Sequence, residues 1–286
     1  MHTSQIDLVA FGPKHLEGAV ALSRQAGWPH RPEDWQMALA VSRGIAAVAD
    51  DHHVVGTALV TPYGEDCATI NMVIVDEVAR GRGLGRRLMQ AALDIGGERQ
   101  LRLVATTDGL PLYEKLGFRP VGTILQYQGK IPAIAAPDGI ENACEADFDA
   151  VTALDHAAFK ADRRCLLEHL AKVAEFVVVR RAGRVQGFAA LRAFGRGDVI
   201  GPVVAKNLHD ARTLISAFIG SRPGAFLRID TIADTGLAPW LESLGLTHAG
   251  GGIAMRTGGT DAPARSPTRP TLSPTKPSAD LETPHV

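Results

Sequence analysis

The sequence has few cysteines, no surplus of either charge and no long apolar run, and each shortage removes a class of function. Three cysteines, Cys67, Cys144 and Cys165, stand far apart with no CxxC spacing. That arrangement builds neither a disulfide framework nor a thiolate metal site, and each reads as a small core residue in a reducing compartment. Thirty Lys and Arg against 31 Asp and Glu give a net charge of −1. A dedicated binder of nucleic acid or of an anionic membrane surface needs a clear basic excess. No apolar run approaches bilayer-spanning length, and MHTSQIDLVAFG carries no signal-peptide pattern. The expectation is a cytoplasmic protein with neither a nucleic-acid nor a membrane partner.

What is present is a globular composition, 45% hydrophobic and 21% charged, in 286 residues. That length accommodates two ordinary domains. From Gly258 the composition turns to Pro, Ser and Thr, as in SPTRPTLSPTKP, and residues 258–286 read as a disordered tail. Within the rest the pattern repeats. IAAVADDHHVVGTALVTPYG (45–64) and FVVVRRAGRVQGFAALRAFG (176–195) each read as strand, polar turn, strand. Gly56 matches Gly187, 131 positions on, and Gly117 of LYEKLGF matches Gly245 of WLESLGL, 128 positions on. Two matches at nearly one offset point to an internal duplication, with a boundary at the proline-containing KIPAIAAPDG (130–139). The domains are expected at 1–132 and 133–257. Amphipathic helices precede each hairpin, and Asp147 reads as a cap in the second half. His52 and His53, adjacent and without a carboxylate or cysteine cluster, read as a solvated turn; no metal site is expected.

The chemistry-bearing stretch is VARGRGLGRRLM (78–89). An apolar run, ATINMVIV (68–75), precedes it as a buried strand, and Leu84, Leu88, Ala91, Ala92 and Ile95 follow at helical spacing. Strand, glycine loop and helix N-terminus in succession leave backbone N–H groups without helical partners at the positive end of the macrodipole. Glycines let those amides approach an anion, and a diphosphate is the natural occupant. The loop lacks the Gly-Lys-Ser/Thr of a nucleotide P-loop, and its GxGxG spacing is not that of a dinucleotide fold.

Downstream, LRLVATTDGLPLYEKLGFRPVG (101–122) reads as strand, loop, short helix and strand. Together with VDEVARGRGLGRRLM this resembles the GNAT superfamily of N-acetyltransferases. Arg80-Gly-Arg-Gly-Leu-Gly85 fits its Arg/Gln-x-x-Gly-x-Gly/Ala signature, and LYEKLGF fits its later Leu-Tyr-x-x-Leu-Gly-Phe segment. The resemblance covers roughly residues 5–125. It implies an α/β fold of two tandem GNAT-like domains, each a mixed, centrally splayed sheet flanked by helices, with acetyl-CoA as co-substrate in the gap. The backbone of Val73, Ile74 and Val75 would then pair with the pantetheine arm. Arg80 opens the signature, and the amides of Gly81, Arg82, Gly83, Leu84, Gly85 and Arg86 would hold the diphosphate.

Tyr113 is the expected catalytic residue, since a tyrosine here stands near the thioester sulfur in related enzymes. A phenol, with an ordinary pKa of about 10, is protonated at neutral pH and can donate to the departing thiolate. For the general base, Asp108, Glu65 and Asn71 lie in or near segments within reach of the gap, without a choice among them. Where the family often has an asparagine, residues 106–109 read TTDG. GWPHRPEDW (27–35) is either an ordinary helix connection or part of the acceptor pocket. In the second half, Lys206, Asn207, Leu208 and His209 stand where the glycines would be, and Leu241 takes the tyrosine position. That half reads as a structural or dimerising domain. The expectation is direct acetyl transfer to a small-molecule or peptide amine, with a homodimer left open. A non-catalytic acyl-CoA sensor or scaffold is the rival.

Overall fold

The computed structural model describes residues 5–50 and 53–258. Asp51, His52 and the segment from Gly259 lie outside the described residues, so the reading of the tail and of His52 falls there too. Two compact units emerge: one takes the chain up to Val121 together with the strand end that starts at Ile253, the other Gly122–Gly252.

The first unit runs β1 (Ile6–Ala10), α1 (Leu16–Gln25), α2 (Pro32–Val41), β2 (Arg43–Ala49), β3 (Val54–Tyr63), β4 (Cys67–Val75), α3 (Leu84–Gly96), β5 (Gln100–Ala105) and α4 (Leu110–Lys115). The strands lie in sequence order, antiparallel from β1 to β4, with β5 parallel to β4. Helix α3 forms because Leu84, Leu88, Met89 and Ala92 share one buried face while Arg86, Arg87 and Gln90 face solvent. Each fully buried Leu or Met there contributes about 1.5–3 kcal/mol. This core covers one side of the sheet, with Ile70, Val73 and Val75 of β4. The other side packs Met72 and Ile74 against Val20, Leu22, Trp35 and Ala38 of α1 and α2.

The second unit repeats the plan with β6 (Arg119–Lys130, from Gly122), β7 (Ile140–Asn142), α5 (Phe148–Phe159), α6 (Arg164–Leu170), β8 (Glu175–Arg181), β9 (Arg184–Phe194), β10 (Gly197–Ala205), α7 (Leu208–Ser221), β11 (Phe226–Ile232), α8 (Ala238–Ser243) and β12 (Thr247–Arg256). The duplicated glycines occupy equivalent places. Gly56 faces Val75, and a Cβ on it would lie 3.2 Å from the Ile74 carbonyl; Gly187 faces Ala205, and its Cβ would lie 2.7 Å from the Val204 carbonyl. Gly117 and Gly245 both follow a short helix at positive φ, 90° and 82°, and donate to Glu114 and Glu242.

A linear division at residue 132 does not follow the strands. In the first unit β5 pairs on its far side with Ile253–Arg256 of β12, and in the second, β11 pairs with Ile124–Lys130 of β6. Asp147 also acts differently from a simple helix cap. Its carboxylate reaches back to the N–H of Cys144 (3.0 Å) and to Arg180 (2.8 Å), because a 3-10 turn precedes α5. The Cys144 N–H, then burial working against it, then Arg180 leave its pKa below the ordinary carboxylate value.

Candidate active site

Strands β4 and β5 pair only over Cys67–Thr69 and Gln100–Arg102. Beyond Thr69, β4 pairs with β3 alone while β5 turns to β12, so the first unit's sheet opens at its centre. A bulge accompanies the opening: Met72 and Val73 together oppose Ala58. Met72 takes φ 52°, costly for a side chain of its size, and Thr57 holds the turned carbonyl with a 2.7 Å hydrogen bond. Val73, Ile74 and Val75 thus line a β4 edge that no strand covers among the described residues.

The glycine loop follows directly. Asp76 caps a 3-10 turn by accepting from the Val78 N–H at 2.9 Å, after which Gly81 and Gly83 adopt φ of 76° and 75°. A Cβ at either glycine would meet nothing within 4 Å, so the conformation, not crowding, demands glycine. Gly85 is different: a Cβ there would touch Leu112 and Val75. Among the described residues, the N–H groups of Gly81, Arg82, Gly83, Leu84, Gly85 and Arg86 have no hydrogen-bond acceptor; the first bond closing α3 runs from Arg87 to Gly83. Arg80 donates through Nε to the Val75 carbonyl and Arg87 to that of Ile6, while Arg82 and Arg86 extend into solvent. The result is an exposed concentration of amide donors, helix dipole and guanidinium charge at the mouth of the opening, which fits a diphosphate.

The second unit has the same frame and a closed terminus. Gly201 and Pro202 bulge opposite Ala190, and β10 and β11 pair only over Asp198–Ile200 and Leu227–Ile229. At the start of α7, however, the Asn207 side chain accepts from the Asp210 N–H and donates to its carboxylate, which also receives Arg181. An anion would meet a carboxylate there, not free amides.

Tyr113, on α4, is 7% exposed and stands edge-on to Phe118 at 6.1 Å. Its hydroxyl makes no hydrogen bond among the described residues, and burial pushes its pKa up to about 12. Gly109 carries no signal of its own in the sequence, yet it lies against the Tyr113 ring, held by its N–H to Thr106 Oγ1 (3.1 Å). The TTDG loop thus serves as the platform of the tyrosine.

The acid–base candidates separate. Glu65 lies in the β3–β4 turn, at the end where β4 and β5 are still paired, and is ion-paired to Arg99 at 3.0 Å; strand direction takes it away from the opening. Asp108 is exposed before α4. Asn71 is buried in β4 beside the bulge. Trp28, His30 and Trp35 of GWPHRPEDW are buried, with Ser23 Oγ joining His30 (3.1 Å) and Trp35 (3.0 Å), which is core packing between α1 and α2. No cluster of metal-ligating side chains occurs among the described residues. Nor is any described helix long and apolar enough to cross a membrane.

Known proteins resemble this chain in sequence and in fold. Residues 17–118 match the family profile described as "Acetyltransferase (GNAT) family", and residues 151–268 that of an "Acetyltransferase (GNAT) domain". The uncharacterized N-acetyltransferase YitH of Bacillus subtilis (strain 168) is 31% identical over 234 residues, covering 78% of this chain and 81% of YitH. A candidate acetyltransferase from Pyrococcus horikoshii superimposes with a TM-score of 0.77 at 21% identity, over 91% of this chain and 92% of its own. A tandem GNAT protein from the clavulanic acid biosynthesis pathway does so with a TM-score of 0.60 at 14% identity, over 90% and 100%. At these identities the two structural likenesses establish the fold alone.

Proposed function

The chain belongs to the GNAT acetyltransferase family, with two such domains in tandem, and from that premise we propose that its first unit transfers an acetyl group from acetyl-CoA directly to an amine. The observation that carries this reading is the row of unpartnered amides from Gly81 to Arg86, set at the end of a β4 edge left open by the bulge at Met72. The loop amides hold the diphosphate, and the open edge at Val73, Ile74 and Val75 pairs with the pantetheine arm. An N–H on that edge near Val73 polarises the thioester oxygen.

The amine nitrogen forms a bond to the acetyl carbon, the C–S bond breaks with its electron pair leaving on sulfur, and the nitrogen gives up one N–H proton to solvent as the amide forms. Tyr113 stays protonated across the neutral range and donates a hydrogen bond to that sulfur as charge develops. Its pKa lies about 3.5 pH units above that of a cysteine-like thiol. Tyr113 therefore stabilises the thiolate more readily than it surrenders the proton, which solvent can supply afterwards. Cys67, the one cysteine of the first unit, is buried at the far end of β4 and is not placed to carry an acyl group. Transfer through a ternary complex fits that arrangement. The free thiols fit the cytoplasm.

Calorimetry with acetyl-CoA and a thiol-release screen across primary amines test the reading. One acetyl-CoA per chain and release with at least one amine are expected. No binding, or binding without release for any amine, overturns it.

A further inference from the structure

Resting on that reading, we infer that Asn71 receives an N–H of the acceptor amine. Its carboxamide is buried, 3% exposed, two residues beyond the last β4 residue paired with β5 and one before the bulge. Nδ2 donates to Thr61 Oγ1 at 2.8 Å and to the Thr69 carbonyl at 3.5 Å. The Thr69 carbonyl only accepts, which favours the nitrogen on that side and leaves the oxygen as the free end. Thr61 Oγ1 is in turn 2.7 Å from Ser42 Oγ, the residue that follows α2, so the hydroxyl that receives the carboxamide is itself held. Oδ1 is buried with no hydrogen-bond partner among the described residues. A buried carbonyl oxygen left alone is costly, and a site that keeps one is ready for a donor.

The side of the sheet identifies the donor. Through Thr61 and Ser42, Asn71 belongs to the face that carries α1 and α2, as do its neighbours Met72 and Ile74. Tyr113 and the helix that opens at the glycine loop pack on the opposite face. In a ternary complex the nucleophile approaches the acetyl carbon from a side that the CoA arm does not occupy. Acetyl-CoA takes the loop on the α3 side, which leaves the Asn71 side to the amine. A primary amine that has lost its extra proton still has two N–H groups. One can be held by Oδ1 while the lone pair faces the acetyl carbon. A neutral carboxamide gives a buried ammonium no counter-charge, so the site selects amines that enter uncharged. α-Amino groups, with pKa of about 8, satisfy this more readily than lysine-like amines near 10.4.

The test uses the full chain with Asn71→Ala and Asn71→Asp, and the best amine from the thiol-release screen. Asn71→Ala is expected to raise the amine KM about tenfold, the loss of one hydrogen bond, with acetyl-CoA affinity unchanged. Asn71→Asp keeps the shape and supplies a counter-charge, so the pH at which kcat/KM reaches half its maximum should fall as the ammonium becomes bindable. An unchanged amine KM in Asn71→Ala, an equal loss of acetyl-CoA affinity, or an unmoved pH profile in Asn71→Asp overturns the assignment. If the variants do not fold, the wild-type chain saturated with CoA is titrated with glycinamide, an α-amino probe, while the Asn71 carboxamide resonances are followed by NMR. They should shift, and resonances that stay put overturn the assignment equally. Wild type failing with every amine sinks acetyl transfer itself, whereas changes confined to the variants bear only on Asn71.

Discussion

A Cβ placed on Gly109 would lie 2.7 Å from Cε2 of Tyr113 and 3.2 Å from its hydroxyl oxygen. The ring can stand where it does only because residue 109 has no side chain. Tyr113→Phe should retain acetyl-CoA binding and lose turnover, by about 10²–10³-fold if the hydroxyl is the sole hydrogen-bond donor to the developing charge on sulfur. Gly109→Ala should lower kcat by displacing the same ring, with cofactor affinity near wild type. The two changes should not add, since both act on one hydroxyl. Full additivity in steady-state kinetics would show that Gly109 acts on something else.

The two helix termini predict an asymmetry between the units. Gly83→Val forces a β-branched residue to φ 75° and points its side chain into the open space before the loop amides. Acetyl-CoA binding should be abolished while the fold survives. Leu208→Val, at the start of α7, should leave affinity nearly intact, because Asn207 and Asp210 already occupy that terminus. Calorimetry distinguishes this from two equivalent sites.

A buried ion pair makes a stability prediction in the second unit. Arg163 and Asp155, both 1% exposed, form a two-pronged pair, with the guanidinium 4.1 Å from the Phe159 ring centroid. Arg163→Met strands the carboxylate and should cost about 3–5 kcal/mol in denaturant unfolding. Replacing both, as Asp155→Leu with Arg163→Met, should recover most of that loss. A mild single variant would show that water reaches the site.

Alkaline pH should weaken the fold in a defined window. Burial raises the Tyr113 pKa from 10 to about 12 in the folded chain. Its contribution is complete below pH 10 and is lost as pH rises towards 12, by at most roughly 2.7 kcal/mol. Tyr127 shifts the same way to about 12, through burial and then its hydrogen bond to Glu242. Urea midpoints between pH 9 and about pH 12 should therefore fall less steeply in Tyr113→Phe than in wild type. Parallel slopes would contradict the shift.

What the sequence makes legible is what the local backbone demands. Gly81, Gly83 and Gly117 sit at positive φ, so their spacing carries the loop and the helix stop into the sequence itself. The bulge is invisible there for the opposite reason. Met72 is turned into a left-handed conformation by its pairing with β3 and by Thr57, contacts distant in sequence, and nothing about methionine signals it. Asn71 stands out as a polar residue in an apolar strand, but its bracing by Thr61 and Ser42 does not. The role of β12 also escapes, since an apolar strand at the end of a repeat names no partner.

That last strand has a consequence for how the protein is made. The half expected to do chemistry is begun first but needs Ile253–Arg256 to cover the outer edge of β5. During synthesis β5 waits, with bare backbone donors and acceptors, until Ile253–Arg256 has left the ribosome. An exposed edge of that kind invites pairing with the wrong strand. The second half, whatever else it does, delivers the piece that ends the wait.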